Sequence, residues 1–293
     1  MLQFTFFKHG LVLLIGCFLC FSSVARSEQV YQYFGASGKY AFKNDYFVSL
    51  LRQALDATST QFGAYQLTQY PMRMNQSRAI ENMNKTCDFD VQWHMTTALR
   101  ERKMRAIKIP LFKGLYGYRA LMIHQDNEAK FAAIDDRHQL QMLTAGQGAD
   151  WPDTGILKAN HFNVYGVANY HALFDLLAQK RIDYFPRSVT EIQDELTLHA
   201  EKPLMRETHI LLYYPAPIYF FVCPDDQELA NRLEQGLRHL ISSGAFATHF
   251  RASNEFQGFT RQGGFADKTL FKLSNPLIAE QSLPADESLW LFP

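Results

Sequence analysis

The residues best suited to chemistry lie in one stretch, Asp90-Val-Gln-Trp-His-Met-Thr-Thr-Ala-Leu-Arg-Glu-Arg-Lys-Met-Arg105, where a short apolar run leads into two hydroxyls and a group of cations. A strand over 87–93 that points into a cleft would present the Thr96 or Thr97 hydroxyl beyond its carboxyl end, and Arg100 brings a planar fork that grips a carboxylate with two parallel bonds. Trp93 adds an apolar or stacking wall, or is simply core. Two readings of this spacing stand. In one, Thr96 or Thr97 and Arg100 hold a small carboxylate. In the other, Thr97 caps a helical turn and Arg100 joins Arg102, Lys103 and Arg105 in a solvated basic run.

Weaker candidates lie elsewhere. Gly146-Gln-Gly148-Ala-Asp-Trp151 can present backbone amides to an anion at a helix start, or is a plain tight turn, with Trp151 as a wall or as core. Gln76 and Arg78 sit at another helix start facing the same sheet edge, and Arg187 follows a short strand, in a cleft or on the surface. A general acid or base would have to be Asp183, Asp150 or His94, none of which has a partner at recognisable spacing. The ten histidines form no HExxH or other ligand pattern, so no metal and no cofactor are expected.

The elements that must position these residues follow from periodicity. Residues 30–35 alternate and stop at Gly35, as a half-buried strand does. Asn44 or Asp45 then caps a helix through Phe47, Leu50, Leu51, Ala54 and Leu55. Tyr65 to Tyr70 is a second strand, Asn75 or Ser77 opens a helix with Ile80 and Met83 inward, and Cys87 to Trp93 is a third strand. That alternation predicts a mostly parallel sheet covered by helices. A second series begins near Gly114: a strand from Tyr118 to His124, a glycine turn at Gly146 and Gly148, a helix from Tyr170 to Gln179, and a strand from Ile182 to Phe185 ended by Pro186. Strands at Ile210–Tyr214 and Ile218–Val222 are separated by Pro215 and Pro217. A long amphipathic helix runs from about Gln227 to Ser242 and is closed by Gly244. The tail after Gly264 is irregular but apolar enough to pack.

Residues 1–27 have the parts of a secretory leader: Lys8 and His9, an apolar run from Leu11 to Phe21, and the small-x-small site Ala25-Arg26-Ser27. The run falls short of the roughly 20 residues a spanning helix needs, so export with cleavage near Glu28 is expected rather than anchoring. Leu14-Ile-Gly-Cys17 also fits a lipoprotein pattern, although apolar residues continue beyond Cys17. The 29 basic and 29 acidic residues balance, which removes the electrostatic footprint of a nucleic-acid binder. Beyond the leader two cysteines remain, Cys87 and Cys223. They are either one disulfide in an oxidising compartment or two separately buried thiols.

The layout resembles the extracellular solute-binding proteins of family 3, the type II periplasmic binding proteins that serve ABC importers. That family's Asp-hydrophobic strand end, Thr-x-x-Arg element, basic stretch and hydrophobic-Pro-hydrophobic entry to a second lobe are matched here by Asp90-Val91, Thr97-Ala-Leu-Arg100, Arg102–Arg105 and Ile109-Pro-Leu-Phe112. The resemblance spans residues 30 to 250. It implies an α/β fold of two lobes with mixed sheets flanked by helices: residues 28–112 and 215–265 form lobe one, 113–214 lobe two, and 266–293 a tail packed on the lobes. Two hinge crossovers, near 112 and 215, would flank the ligand.

The resemblance further implies a monomeric periplasmic receptor for a small-molecule solute, presented to an ABC permease or membrane sensor, with Trp93, Thr96, Thr97, Arg100, Gly148, Trp151, Arg187 and Arg78 as ligand contacts. Amino-acid binders of the family carry an Asp for the ligand's ammonium after a Gly-x-hydrophobic-Asp-Ala element. Lys180-Arg-Ile-Asp183-Tyr-Phe-Pro-Arg187 puts a cation there, so an anionic solute such as a dicarboxylate is expected. The implied topology also sets the end of Ile218–Val222 beside the start of the third strand, bringing Cys223 near Cys87. A dehydratase-like enzyme on the same scaffold and a signalling module with a degenerate cleft are the rival functions.

Overall fold

The structure is a computed structural model and describes Met1 and residues 28–291. The rest of the expected leader, with Cys17 and the cleavage site, lies outside the described residues. Eleven strands form: β1 Gln29–Tyr33, β2 Tyr65–Gln69, β3 Val91–Met95, β4 Arg105–Ile107, β5 Tyr118–His124, β6 Thr144–Gly148, β7 Asn163–Val167, β8 Tyr184–Ser188, β9 Leu204–Tyr213, β10 Ile218–Val222 and β11 Thr269–Lys272. They make two sheets, ordered β2-β1-β3-β10-β4 and β11-β9-β5-β8-β6-β7.

Strand β10 illustrates how the first sheet is held. Its alternate residues Ile218, Phe220 and Val222 enter one core, and Tyr219, Phe221 and the following Cys223 enter another, so both faces are buried. Helices Asp45–Asp56 and Gln227–Ser242 cover the first face with Leu50, Leu51, Leu55, Leu229, Leu233 and Leu237. Burying each of these leucines contributes about 1.5–3 kcal/mol. Helix Gln76–Lys85 covers the second face with Ala79, Ile80 and Met83. β1 and β2 are parallel, and β10 runs antiparallel between β3 and β4.

The chain leaves the first sheet after β4, enters β5, and returns through Tyr214–Pro217 into β10. These two passages lie side by side, with the Leu111 amide donating to the Ile218 carbonyl at 3.0 Å and the Thr96 amide to the Pro217 carbonyl at 2.9 Å. The tail contributes more than packing. Residues 269–272 add β11 in parallel to β9 as an edge of the second sheet.

Several boundaries differ from the sequence expectation. β3 begins at Val91 rather than Cys87, because Cys87 has a left-handed backbone (φ 51°) and is joined to Cys223 by a disulfide with Cα atoms 5.9 Å apart. The expected glycine turn at Gly146 and Gly148 is strand β6: a Cβ at Gly146 would strike Ile182, and one at Gly148 would strike the Trp151 ring. The glycines serve close approach, not a turn. Pro186 lies inside β8 rather than ending a strand. The β6–β8 pairing is confined to Ala145 and Tyr184, and beyond it the Gln147 side chain donates to the Pro186 carbonyl.

Candidate functional site

A cleft of 470 Å³ opens between the two lobes. The first lobe supplies the loop Phe34–Ser37, Tyr40, Lys43, Phe47, Arg73, Gln76 and the end of β3 with Arg100; the second supplies Trp151–Asp153, Tyr170, His171, Arg187 and the segment Thr190–Asp194. Asn44, buried at the start of helix Asp45–Asp56, turns its side chain away from helix capping. It accepts from the Ala36 amide at 2.8 Å and donates to the Ala36 carbonyl at 2.7 Å, which pins the loop on the cleft edge. Trp93 stacks on Phe47 with ring centres 4.9 Å apart and forms an aromatic floor.

The cleft's two buried arginines are held very differently. Arg100 donates Nη1 to the Met95 carbonyl at 2.7 Å and Nη2 to the Gln76 side-chain oxygen, and forms no ion pair among the described residues. Burial brings its pKa down to about 10, with Asp153 of the opposite lobe pulling the other way; at neutral pH it is a charged, unneutralised cation. Arg187 makes two bonds of 2.7 Å to Glu195 and a 3.0 Å ion pair to Glu191. Its guanidinium also lies over the Trp151 ring at 4.9 Å. Burial alone would raise the Glu195 carboxyl, but the charges of Arg187 and then Lys43 overcome it and hold the group well below the usual carboxylate range.

Asp153 sits in the first turn of helix Pro152–Ala159. Its Oδ1 accepts from Tyr214 at 2.5 Å and forms an ion pair with Arg119 at 2.9 Å, whereas Oδ2 makes no hydrogen bond among the described residues. Asp194 and Glu255 also line the cleft, and burial holds both carboxyls above their ordinary range. His94 is fixed by the Gln76 amide donating to Nδ1 at 3.1 Å and by Nε2 donating to Gln92 at 2.6 Å; burial, then Arg100, keeps it well below the usual histidine range and neutral.

Of the residues expected from sequence, Trp93, Arg100, Trp151, Arg187 and Gln76 meet in this cleft. Thr96 turns inward and donates to Glu101 at 2.7 Å; Thr97 caps helix Ala98–Lys103 by accepting from the Arg100 amide at 3.1 Å. Gly148 lies beneath Trp151, and its carbonyl accepts from Thr154. Arg78 is exposed and lines neither this cleft nor the cavity behind it. Asp183 bonds Lys130 and the Thr144 amide away from the cleft, and Asp150 accepts from Ser77 in the wall of the cavity behind it. Sequence reasoning missed Asp153, which reads as an ordinary helix-start acid, and Arg73, in an irregular loop. It also missed that acids four and eight residues after Arg187 would take up its charge. Among the described residues no group of three His, Cys, Asp or Glu is placed to hold a metal ion, and no helix is long and apolar enough to cross a membrane.

No protein-family model matches the sequence, and no curated protein does. Solved structures match in three dimensions. An ancestral arginine-binding protein bound to arginine superposes with a TM-score of 0.54 at 14% identity, over 78% of this chain and 98% of its own. The ligand-binding core of GluR0 from Nostoc punctiforme, in complex with L-glutamate, gives 0.52 at 14% identity over 78% and 99%. The fold is that of a type II periplasmic binding protein. A histidine kinase sensor domain with similarity to periplasmic binding proteins superposes with a TM-score of 0.55 at 14% identity over 77% and 95%. At this identity the likeness carries the fold, and it is at that level that the resemblance read from Asp90 to Arg105 holds.

Proposed function

We propose that this chain is a periplasmic receptor that closes two lobes on a small amino-acid-like zwitterion and presents the closed form to an ABC permease or a membrane sensor. One observation carries the reading: Arg100 of the first lobe and Asp153 of the second line the same cleft, act on one another electrostatically, and form no ion pair with each other. Asp153 is paired with Arg119 through Oδ1, and its Oδ2 makes no hydrogen bond among the described residues, so an unpaired cation on one wall and an open carboxylate oxygen on the other suit a ligand with one charge of each sign, which would engage both and stabilise the closed state by its preference for it. Two proteins with this fold carry free α-amino acids.

The anionic solute expected from sequence has less support, because Arg187, its second anchor, is already neutralised by Glu191 and Glu195. Of the three acid–base candidates only His94 lines the cleft, and both its ring nitrogens are engaged. None of the three groups expected from sequence is therefore free in the cleft to move a proton.

The test is a thermal-shift screen of the protein against free α-amino acids, dicarboxylates and sugar acids, with turnover followed by NMR. An α-amino acid at about 100 times its Kd should stabilise the protein by about 2.7 kcal/mol and be recovered unchanged, and Arg100→Ala should abolish the shift. A dicarboxylate that outcompetes every amino acid would refute the zwitterion reading.

A further inference from the structure

Behind the cleft, on the other side of Arg100 and Trp151, lies a second cavity of 620 Å³ whose wall includes Leu99, Pro152, Pro276 and Leu277. The tail reaches it in steps fixed by hydrogen bonds. Asn160, at the end of helix Pro152–Ala159, donates to the Ser274 carbonyl at 2.8 Å and accepts from the Ser274 amide at 3.1 Å. Asn275 then donates to the Pro215 carbonyl in the hinge at 2.7 Å and accepts from the Leu277 amide at 3.0 Å. That turn drives Leu277 between the lobes.

Leu277 touches both helices that carry the cleft's charged poles. Its carbonyl accepts from the amide of Ala98 at 2.8 Å, satisfying one of the donors left open at the start of helix Ala98–Lys103, which bears Arg100. Its side chain packs on Gly155 of helix Pro152–Ala159, which bears Asp153, so closely that a Cβ at Gly155 would stand 3.3 Å from Leu277 Cδ1. The helix bearing Arg100 is only six residues long, and its first free donor is held by the tail. We infer that Leu277 is a positioning residue: the C-terminal tail acts as a wedge that sets the separation of Arg100 and Asp153, and so the length between the two charges of the ligand. This rests on the two-pole reading above.

A wedge that sets a separation has a signature that general destabilisation lacks. It matters to a ligand that must reach both poles and is nearly indifferent to one that reaches a single pole, since a site must hold its groups to within about 0.5 Å. The experiment measures calorimetric affinity of the unaltered chain and of Leu277→Ala for the free protein α-amino acids. For each one bound, it also measures the decarboxylated amine and the deaminated acid.

Leu277→Ala should weaken the intact amino acid at least about tenfold and each one-ended analogue less than about threefold. Leu277→Met should keep the unaltered affinity, and Gly155→Ala combined with Leu277→Ala, which refills the space, should recover part of the loss. Equal losses for all three ligands, or no loss, would overturn the inference. Where Leu277→Ala melts too low to assay, Gly155→Ala alone presses the wedge by a few tenths of an ångström and must give the same selective loss. If the unaltered chain binds no amino acid, or binds the one-ended analogues as tightly, the two-pole reading itself fails and the wedge falls with it.

Discussion

Arg100 and Arg187 are the same residue type in the wall of one cleft, and their partners give them opposite roles. Arg187, ringed by Glu191 and Glu195, is a structural cation; removing Glu195 would leave it buried and underpaired at a cost of about 3–5 kcal/mol. Arg100 has only neutral partners and keeps its charge for something else. His94 offers a further test at this scale. A histidine whose folded pKa is depressed binds fewer protons folded than unfolded, so its stabilising effect is complete above its unfolded pKa and is lost as pH falls below it. Between that unfolded value, about 6.5, and the lowered folded one, each such proton removes about 1.4 kcal/mol of stability per pH unit. His199 and His249 are depressed in the same sense, again first by burial. Urea melts between pH 7 and 5 should therefore lose stability steeply, and His94→Gln should remove one proton's share of that slope. An unchanged slope would mean that His94 is charged in the fold. At this scale the sequence was half legible. Half of each reading of Thr97-x-x-Arg100 stands: Thr97 is a helix cap, as in the second, and Arg100 is buried in the cleft wall, as the first required.

The elements that matter most are the ones joined across long stretches of chain. β3 delivers Trp93 and His94 to the cleft and runs into Thr97 and Arg100, and its register is set by five residue pairs with β10 and by the disulfide just upstream. The bond joins residues 136 apart, and its loss should cost about 2–4 kcal/mol by freeing that loop in the unfolded chain. The double variant Cys87→Ser, Cys223→Ser should show that loss in chemical denaturation. Its solute affinity should stay within about threefold, since the β3–β10 ladder remains. A collapse of affinity at unchanged stability would show that the disulfide shapes the cleft directly. Periodicity predicted β10 and helix Gln227–Ser242 at the bounds they have, and placed Tyr65–Gln69 and helix Tyr170–Ala178 to within a residue. It missed β6 and ended β8 too early, because glycine and proline, usually breakers, lie inside these strands.

Across the whole molecule, side chains of the two lobes bond one another directly over the cleft. Lys43 of the first lobe donates to Glu195 of the second at 2.7 Å and to Tyr170 at 3.4 Å, and the Tyr40 hydroxyl hydrogen-bonds His171 at 3.0 Å. Ser77 donates to Asp150 at 2.9 Å in the wall of the second cavity. Lys43 can be removed without stranding a buried charge, because Glu195 keeps Arg187. Lys43→Met should therefore shift the unliganded protein toward an open form, seen as a larger radius of gyration in X-ray scattering, with little change in melting temperature. An unchanged radius would mean that this ion pair does not govern closure.

Where a strand or helix alternates apolar and polar residues, that alternation by itself determined the two α/β series, the central strands and longest helices, and the placing of Arg100 just beyond a strand. The tertiary structure decided which charges are free. Arg187 is neutralised, Arg100 has no ion pair among the described residues, Asp153 is paired with Arg119 through one oxygen, and the tail becomes a strand and then packs Leu277 on Gly155. The physical reason is that periodicity reports which face of an element leaves water, a property of neighbours in sequence. Whether a buried charge is paired depends on partners that only the folded chain brings within 3 Å.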